Sequence, residues 1–144
     1  MPASQPTIRI VHPDDQPALE AFLQQRLQTS LFLLSNMRQA GLVDTGQRFE
    51  GTYAAAFEGE AIAGVVALFW NGSLIYQAPN HLSALQEAVR IAIARPIKTL
   101  LGPAGQVAAG LDALGASVRV HLDDPQVLFG LRLADLAVPE PLQT

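Results

Sequence analysis

The chain has no cysteine, one lysine, one tryptophan and two tyrosines among 144 residues, and only 15 % of its residues are charged. Each shortage excludes something. Without cysteine there are no disulfides, no thiolate metal ligands and no cysteine nucleophile. Lys98 is the lone lysine and the arginines are scattered from Arg9 to Arg132, within a net charge of -4. No stretch therefore supplies the clustered positive charge that binds a nucleic-acid backbone. Disordered chains are polar and highly charged, whereas 49 % of this one is hydrophobic. The longest apolar run, Ala61 to Trp70, is half the roughly 20 residues a bilayer-crossing helix needs. Met1 to Ile10 shows no basic patch followed by an apolar core, so no secretory signal is read there and the expected location is cytoplasmic. Neither nucleic acid nor membrane is an expected partner.

What is present reads as one domain, since a chain of this length buries about 70 % of the surface that its unfolded form exposes. Thr7 to Val11 is β-branched and alternating, the pattern of a short strand. Asp14 or Asp15 is placed to cap a helix over Gln16 to Gln28, where Leu19, Phe22, Leu23 and Leu27 recur at helical spacing. Thr29 or Ser30 is placed to cap a second helix, Leu31 to Ala40, with Gly41 at the left-handed C-terminal position. Thr52 to Phe57, Ala61 to Trp70 and Ser73 to Ala78 are apolar and bounded by turn residues, and Asn71-Gly72 fits a type I′ hairpin. A helix over His81 to Ala94, ended by Pro96, a strand over Ile97 to Leu101 and a helix over Ala104 to Leu114 follow. Val118 to Leu122 and Gln126 to Leu136 read as the last strands, so that residues 1–136 form the domain. Residues 137–144, with two prolines and no periodicity, read either as a linker towards a second domain or as a plain terminus.

This order of elements resembles the GNAT acetyltransferase superfamily over nearly the whole chain. Two stretches, Leu31 to Leu42 (LFLLSNMRQAGL) and Leu100 to Val107 (LLGPAGQV), are similar to the N-terminal half of bacterial tandem GNAT proteins. The resemblance implies an α/β (α+β) fold: a mixed, mainly antiparallel sheet flanked by helices on both faces. It also implies an acetyl-CoA-binding, catalytic half that follows this one.

The superfamily holds the CoA pyrophosphate at the turn from its fourth strand into the next helix, with a Gln/Arg-x-x-Gly-x-Gly/Ala pattern. Small residues there let backbone N–H groups approach the phosphates, and the helix N-terminus adds positive potential. The matching turn here is Gln77-Ala78-Pro79-Asn80-His81-Leu82. Gln77 fits, Asn80 stands in place of the first glycine, and Leu82 in place of the second small residue. Pro79 removes one N–H donor, and Leu82 is expected to crowd the phosphate position. His81 is expected exposed in the first helical turn, where its protonated form would contact an anion. This cradle reads as degenerate, so the chain alone is expected to bind no cofactor.

Arg48 to Tyr53 begins the same pattern, yet leads into a strand and lacks the helix N-terminus the chemistry requires. A tyrosine after the last long helix serves many family members as general acid; the only tyrosines here are Tyr53 and Tyr76, both in the meander. No glutamate lies on Ser73 to Ala78 to act as base. No catalytic residue is therefore assigned. Gly102-Pro103-Ala104-Gly105 opens a helix after a strand but lacks a phosphate-loop lysine, and reads as a plain turn. His12 and His121 have no ligand-spaced partners, and Asp123-Asp124 is too small a set for a calcium loop, so no metal site is assigned. Asn36 and Arg38, among apolar neighbours on the second helix, are candidates for lining a substrate groove.

The resemblance and the broken cradle together imply the N-terminal, non-catalytic half of a tandem N-acetyltransferase. Its partner would be a second GNAT-like domain, or another copy of itself. Two alternatives stay open: a complete single-domain acyltransferase with an atypical CoA site, and a stand-alone module that binds a small ligand.

Overall fold

The computed structural model describes residues 5–115. Among these residues, five strands form one sheet in the order β1-β2-β3-β4-β5: β1 (Thr7–Ile10), β2 (Gly51–Glu58), β3 (Ala61–Phe69), β4 (Ser73–Gln77) and β5 (Thr99–Leu101). The first four pair antiparallel, and β5 runs parallel to β4. Helices α1 (Gln16–Gln24) and α2 (Leu27–Ala40) lie between β1 and β2, α3 (Leu82–Ala92) between β4 and β5, and α4 (Ala104–Leu114) after β5.

Side chains alternate across a strand, and here both sets are buried. Tyr53, Ala55 and Phe57 of β2, Val65, Ala67 and Phe69 of β3 and Ile75 of β4 face α1 and α2, which contribute Leu19, Phe22, Leu23, Leu33, Leu34 and Met37. Ala54 and Ala56, Val66 and Leu68, and Leu74 and Tyr76 face the opposite way, onto Leu82, Leu85 and Val89 of α3. Val107 of α4 packs against that second core from its edge. Two-sided burial explains why these strands read as unbroken apolar runs rather than as alternating patterns. Each fully buried Leu, Val or Phe side chain contributes about 1.5–3 kcal/mol relative to exposure. The chain thus adopts the expected α+β class, a mainly antiparallel sheet with helices on both faces.

Between β2 and β3 the pairing shifts: Ala56 faces Gly64 while Phe57 faces Ile62, so Ala63 is an extra residue in a β-bulge. The bulge reverses the alternation, so that Ile62 joins Val65 and Ala67 on the α1–α2 side.

Several boundaries depart from the sequence reading, each for a local reason. The first helix stops at Gln24, because Arg26 leaves helical geometry (φ -128°, ψ 38°). Its guanidinium donates to the Phe22 carbonyl and lies 4.2 Å from the centre of the Phe22 ring. The second helix starts at Leu27, so Thr29 and Ser30 sit inside its first turn and do not cap it. Asp15 flanks α1 without a side-chain cap bond; its carboxylate instead accepts from Arg9 at 2.7 and 2.9 Å and from the His12 N–H at 2.8 Å. The Asn71-Gly72 turn is not type I′, which needs two left-handed residues. Gly72 has φ +83°, whereas Phe49 and His81 are the left-handed non-glycine residues among those described. Trp70, Asn71 and Gly72 form a three-residue loop, closed by the Gly72 N–H on the Phe69 carbonyl at 2.9 Å. Helix α3 occupies Leu82–Ala92 within the expected His81 to Ala94. Strand β5 starts two residues late, because the N–H groups of Lys98 and Thr99 both donate to the Gly72 carbonyl. Gly41 ends α2 with φ +77°, as read.

The expected strands at Val118 to Leu122 and Gln126 to Leu136, the tail from 137, and His121, Asp123 and Asp124 lie outside the described residues. Among the described residues, no helix is long and apolar enough to cross a membrane.

Candidate functional site

The C-terminal end of β4 gathers three helix beginnings. Thr29 and Ser30, in the first turn of α2, donate hydroxyl hydrogen bonds to Gln77 Oε1 at 2.7 and 3.0 Å. Helix α3 starts at Leu82, five residues after Gln77. Gln106, in the first turn of α4, accepts the Ala78 N–H on its Oε1 at 2.8 Å. None of the three helices has a side-chain N-cap or an acidic residue in its first turn. Their partial positive charges are therefore not offset locally, the electrostatic condition that an anion site needs.

Two donors of the turn, however, are spent or missing. Pro79 has no N–H, and the Ala78 N–H is taken by Gln106. Gln77 is buried, and its carbonyl oxygen is held by α2. His81 is exposed, as expected, and is left-handed (φ +62°); its carbonyl accepts the first helical bond, from the Leu85 N–H at 3.0 Å. Asn80 is exposed, and its backbone passes close over β3, where a β-carbon at Gly64 would lie 3.4 Å from the Asn80 carbonyl oxygen.

The Leu82 side chain is turned into the second core beside Leu85 and Val89. The physical reason is the left-handed His81, which rotates the chain so that the first helical residue faces the sheet. Ala78, paired with Gln106, and Pro79 therefore offer no free N–H to a pyrophosphate at this turn.

Asn36 and Arg38 do not converge on one groove. Two residues apart on a helix, they point about 200° apart; Asn36 is half-buried, and Arg38 is exposed. The Arg38 Nε donates to Glu20 of α1 at 2.7 Å. Arg38 does help to line, with Leu27, Leu31, Leu34, Ser35 and Gln39, a concavity of about 510 Å³ whose described walls all come from α2.

The tyrosines are structural. The Tyr76 hydroxyl is buried and donates to Gln86 Oε1, while Gln86 Nε2 donates to the Gly110 carbonyl at 3.2 Å. The Tyr53 hydroxyl is buried, with no hydrogen-bond partner among the described residues. Burial pushes both phenols well above their ordinary pKa, which makes each a poor proton donor. Two features escaped the sequence reading. One is the chain from Tyr76 through Gln86 to Gly110; its signal was Gln86 on the apolar face of α3, one turn after Leu82. The other is a half-buried ion pair in which Arg95 donates to Asp44 at 2.9 and 3.0 Å, with side chains 15 % and 6 % exposed. Fifty-one residues separate this pair, and no local pattern announces it.

Among the described residues, no group of three or more potential metal ligands comes together. No family profile, curated protein or solved structure matches the chain.

Proposed function

We propose that this chain is the N-terminal, non-catalytic GNAT-like half of a cytoplasmic tandem N-acetyltransferase. It packs on a second half that holds acetyl-CoA, and it shapes the acceptor site of that half. The observation that carries this reading is the turn after β4. It keeps the electropositive setting of a phosphate cradle, yet one amide is engaged by Gln106 and the next residue is a proline. A turn with that framework but fewer free donors fits a domain retained for its shape. The partner is another GNAT-like domain or a second copy of this chain, with no nucleic acid or membrane involved.

Calorimetric titration of the purified chain with acetyl-CoA tests the reading. No saturable heat is expected, and micromolar binding would overturn the non-catalytic assignment.

A further inference from the structure

Gln77 is a polar side chain where the burial of β4 asks for an apolar one. It lies two residues after Ile75, on the same α1–α2 side of the sheet, and is only 5 % exposed. Its Oε1 accepts the hydroxyls of both Thr29 and Ser30. Those hydroxyls do not require it, because serine and threonine in a helix can donate to a carbonyl of the preceding turn. Thr29 also does so, to the Arg26 carbonyl at 3.3 Å. What the glutamine adds is the other end of its amide.

A carboxamide carries two N–H donors on its nitrogen. Among the described residues, Nε2 of Gln77 meets no acceptor; the bonds of this side chain are those of Oε1. Nε2 and Oε1 share one carbon, so the contacts of Oε1 place Nε2 at the first turn of α2 as well. Nor is Nε2 sealed in. Among the described residues, the enclosed side-chain polar atom without a partner is the Tyr53 hydroxyl, so Nε2 is reachable from solvent.

The turn that it joins is electropositive. Helix α2 has no side-chain N-cap and no acidic residue in its first turn. Its positive end, worth roughly half an elementary charge, is therefore uncompensated. The N-cap residue is Arg26, which donates to the Phe22 carbonyl and rests on the Phe22 ring, with no carboxylate partner among the described residues. Water can fill an open donor, but a positive helix end beside an unspent amide favours a negative acceptor. The small opening at Gln77 restricts that acceptor to a group that presents a bare oxygen.

The geometry points to a small oxyanion, a carboxylate or phosphate group, bound by Gln77 Nε2 at the N-terminal turn of α2. The site lies on the α1–α2 side of the sheet, whereas the turn after β4 leads into α3 on the other side. It uses neither Ala78 nor Pro79, and it holds whether or not the chain is half of a tandem protein.

Titration of the full 144-residue chain with sodium phosphate and, separately, with sodium acetate tests it, with sodium chloride at matched ionic strength as the reference. In isotope-enriched protein, the Gln77 side-chain amide and the backbone amides of residues 28–30 are expected to shift to saturation in the millimolar range with at least one oxyanion, and not with chloride. Gln77→Glu keeps an acceptor for Thr29 and Ser30 but puts a negative oxygen in place of the donors. It should weaken binding by about tenfold or more, because hydrogen bonds to charged groups are the stronger ones. Thr29 is exposed, so Thr29→Asp sets a competing carboxylate at the helix start outside the core and should weaken binding likewise. Thermal melts show which variants fold. No saturation with either oxyanion, the same shifts with chloride, shifts centred on residues 80–83, or undiminished binding by a folded Gln77→Glu would overturn the proposal. Should Gln77→Glu fail to fold, undiminished binding by Thr29→Asp overturns it instead.

Discussion

Gly110 lies directly against the hydroxyl of Tyr76, and a β-carbon at position 110 would overlap both Oη and Cζ of that ring. The contact locks α4 onto β4 through the only kind of residue that leaves the space.

Gly110→Ala is therefore expected to destabilise the chain by about 1–3 kcal/mol, the cost of forcing an extra carbon into a packed site. Tyr76→Phe removes the nearest oxygen, and also the bond to Gln86. In the double variant the two losses should be less than additive, with a coupling of about 0.5–3 kcal/mol. Urea unfolding of the four proteins measures it; strict additivity would mean that the overlap does not govern the cost.

Asp44 and Arg95 join the loop before β2 to the segment after α3, and Thr52 and the Gly46 N–H also donate to the same carboxylate. Removing one partner of a fully buried pair typically costs about 3–5 kcal/mol. This pair is half-buried, so Asp44→Ala should lose stability by less than that. Exchanging both partners for apolar residues of similar size should lose much less.

Acid should weaken the fold in a defined window. The Arg9 guanidinium holds the Asp15 carboxyl down at about 2, the His12 N–H adding to the effect against the upward push of burial. Burial alone would raise Asp44, but hydrogen bonds from Arg95, Thr52 and Gly46 bring it below its ordinary value. A carboxylate whose pKa is lower folded than unfolded adds stability at neutral pH. That stability fades as pH falls below the unfolded value, about 3.9. Stability should be level from pH 7 to about pH 5 and drop as the pH approaches the range of Asp15, near 2. Arg9→Gln should flatten part of that drop, as read from urea midpoints at each pH.

The Tyr53 hydroxyl has no partner among the described residues, and an unsatisfied buried hydroxyl costs about 1–3 kcal/mol. Tyr53→Phe keeps the edge-on contact with Phe69, whose ring centre is 5.4 Å away. It should raise the thermal midpoint, where most core substitutions lower it. A fall of several degrees would show that the hydroxyl is engaged in solution.

Element order was legible because apolar runs and turn residues alternate cleanly from Thr7 to Leu114. The helix starts were less so. Thr29 and Ser30 have the chemistry of caps, and only tertiary structure shows their hydroxyls committed to Gln77, 48 and 47 residues away. The inward placement of Leu82 was hidden for a similar reason. Its placement depends on the left-handed His81, a conformation that histidine adopts uncommonly. Pro79 needed no structure, since the missing donor is intrinsic to the residue. Gln106 as the partner of Ala78 could be found only once β4 and α4 were seen side by side.

The extra residue at Ala63 has a consequence for how the chain could vary in length. Elsewhere in β2 and β3, deleting one residue would swap every following side chain between the two cores. At the bulge, loss of Ala63 would leave Phe57 opposite Ile62 and Ala56 opposite Gly64, each still on its present side. Within this hairpin, that is the place where a sequence one residue shorter would fold to the same interior.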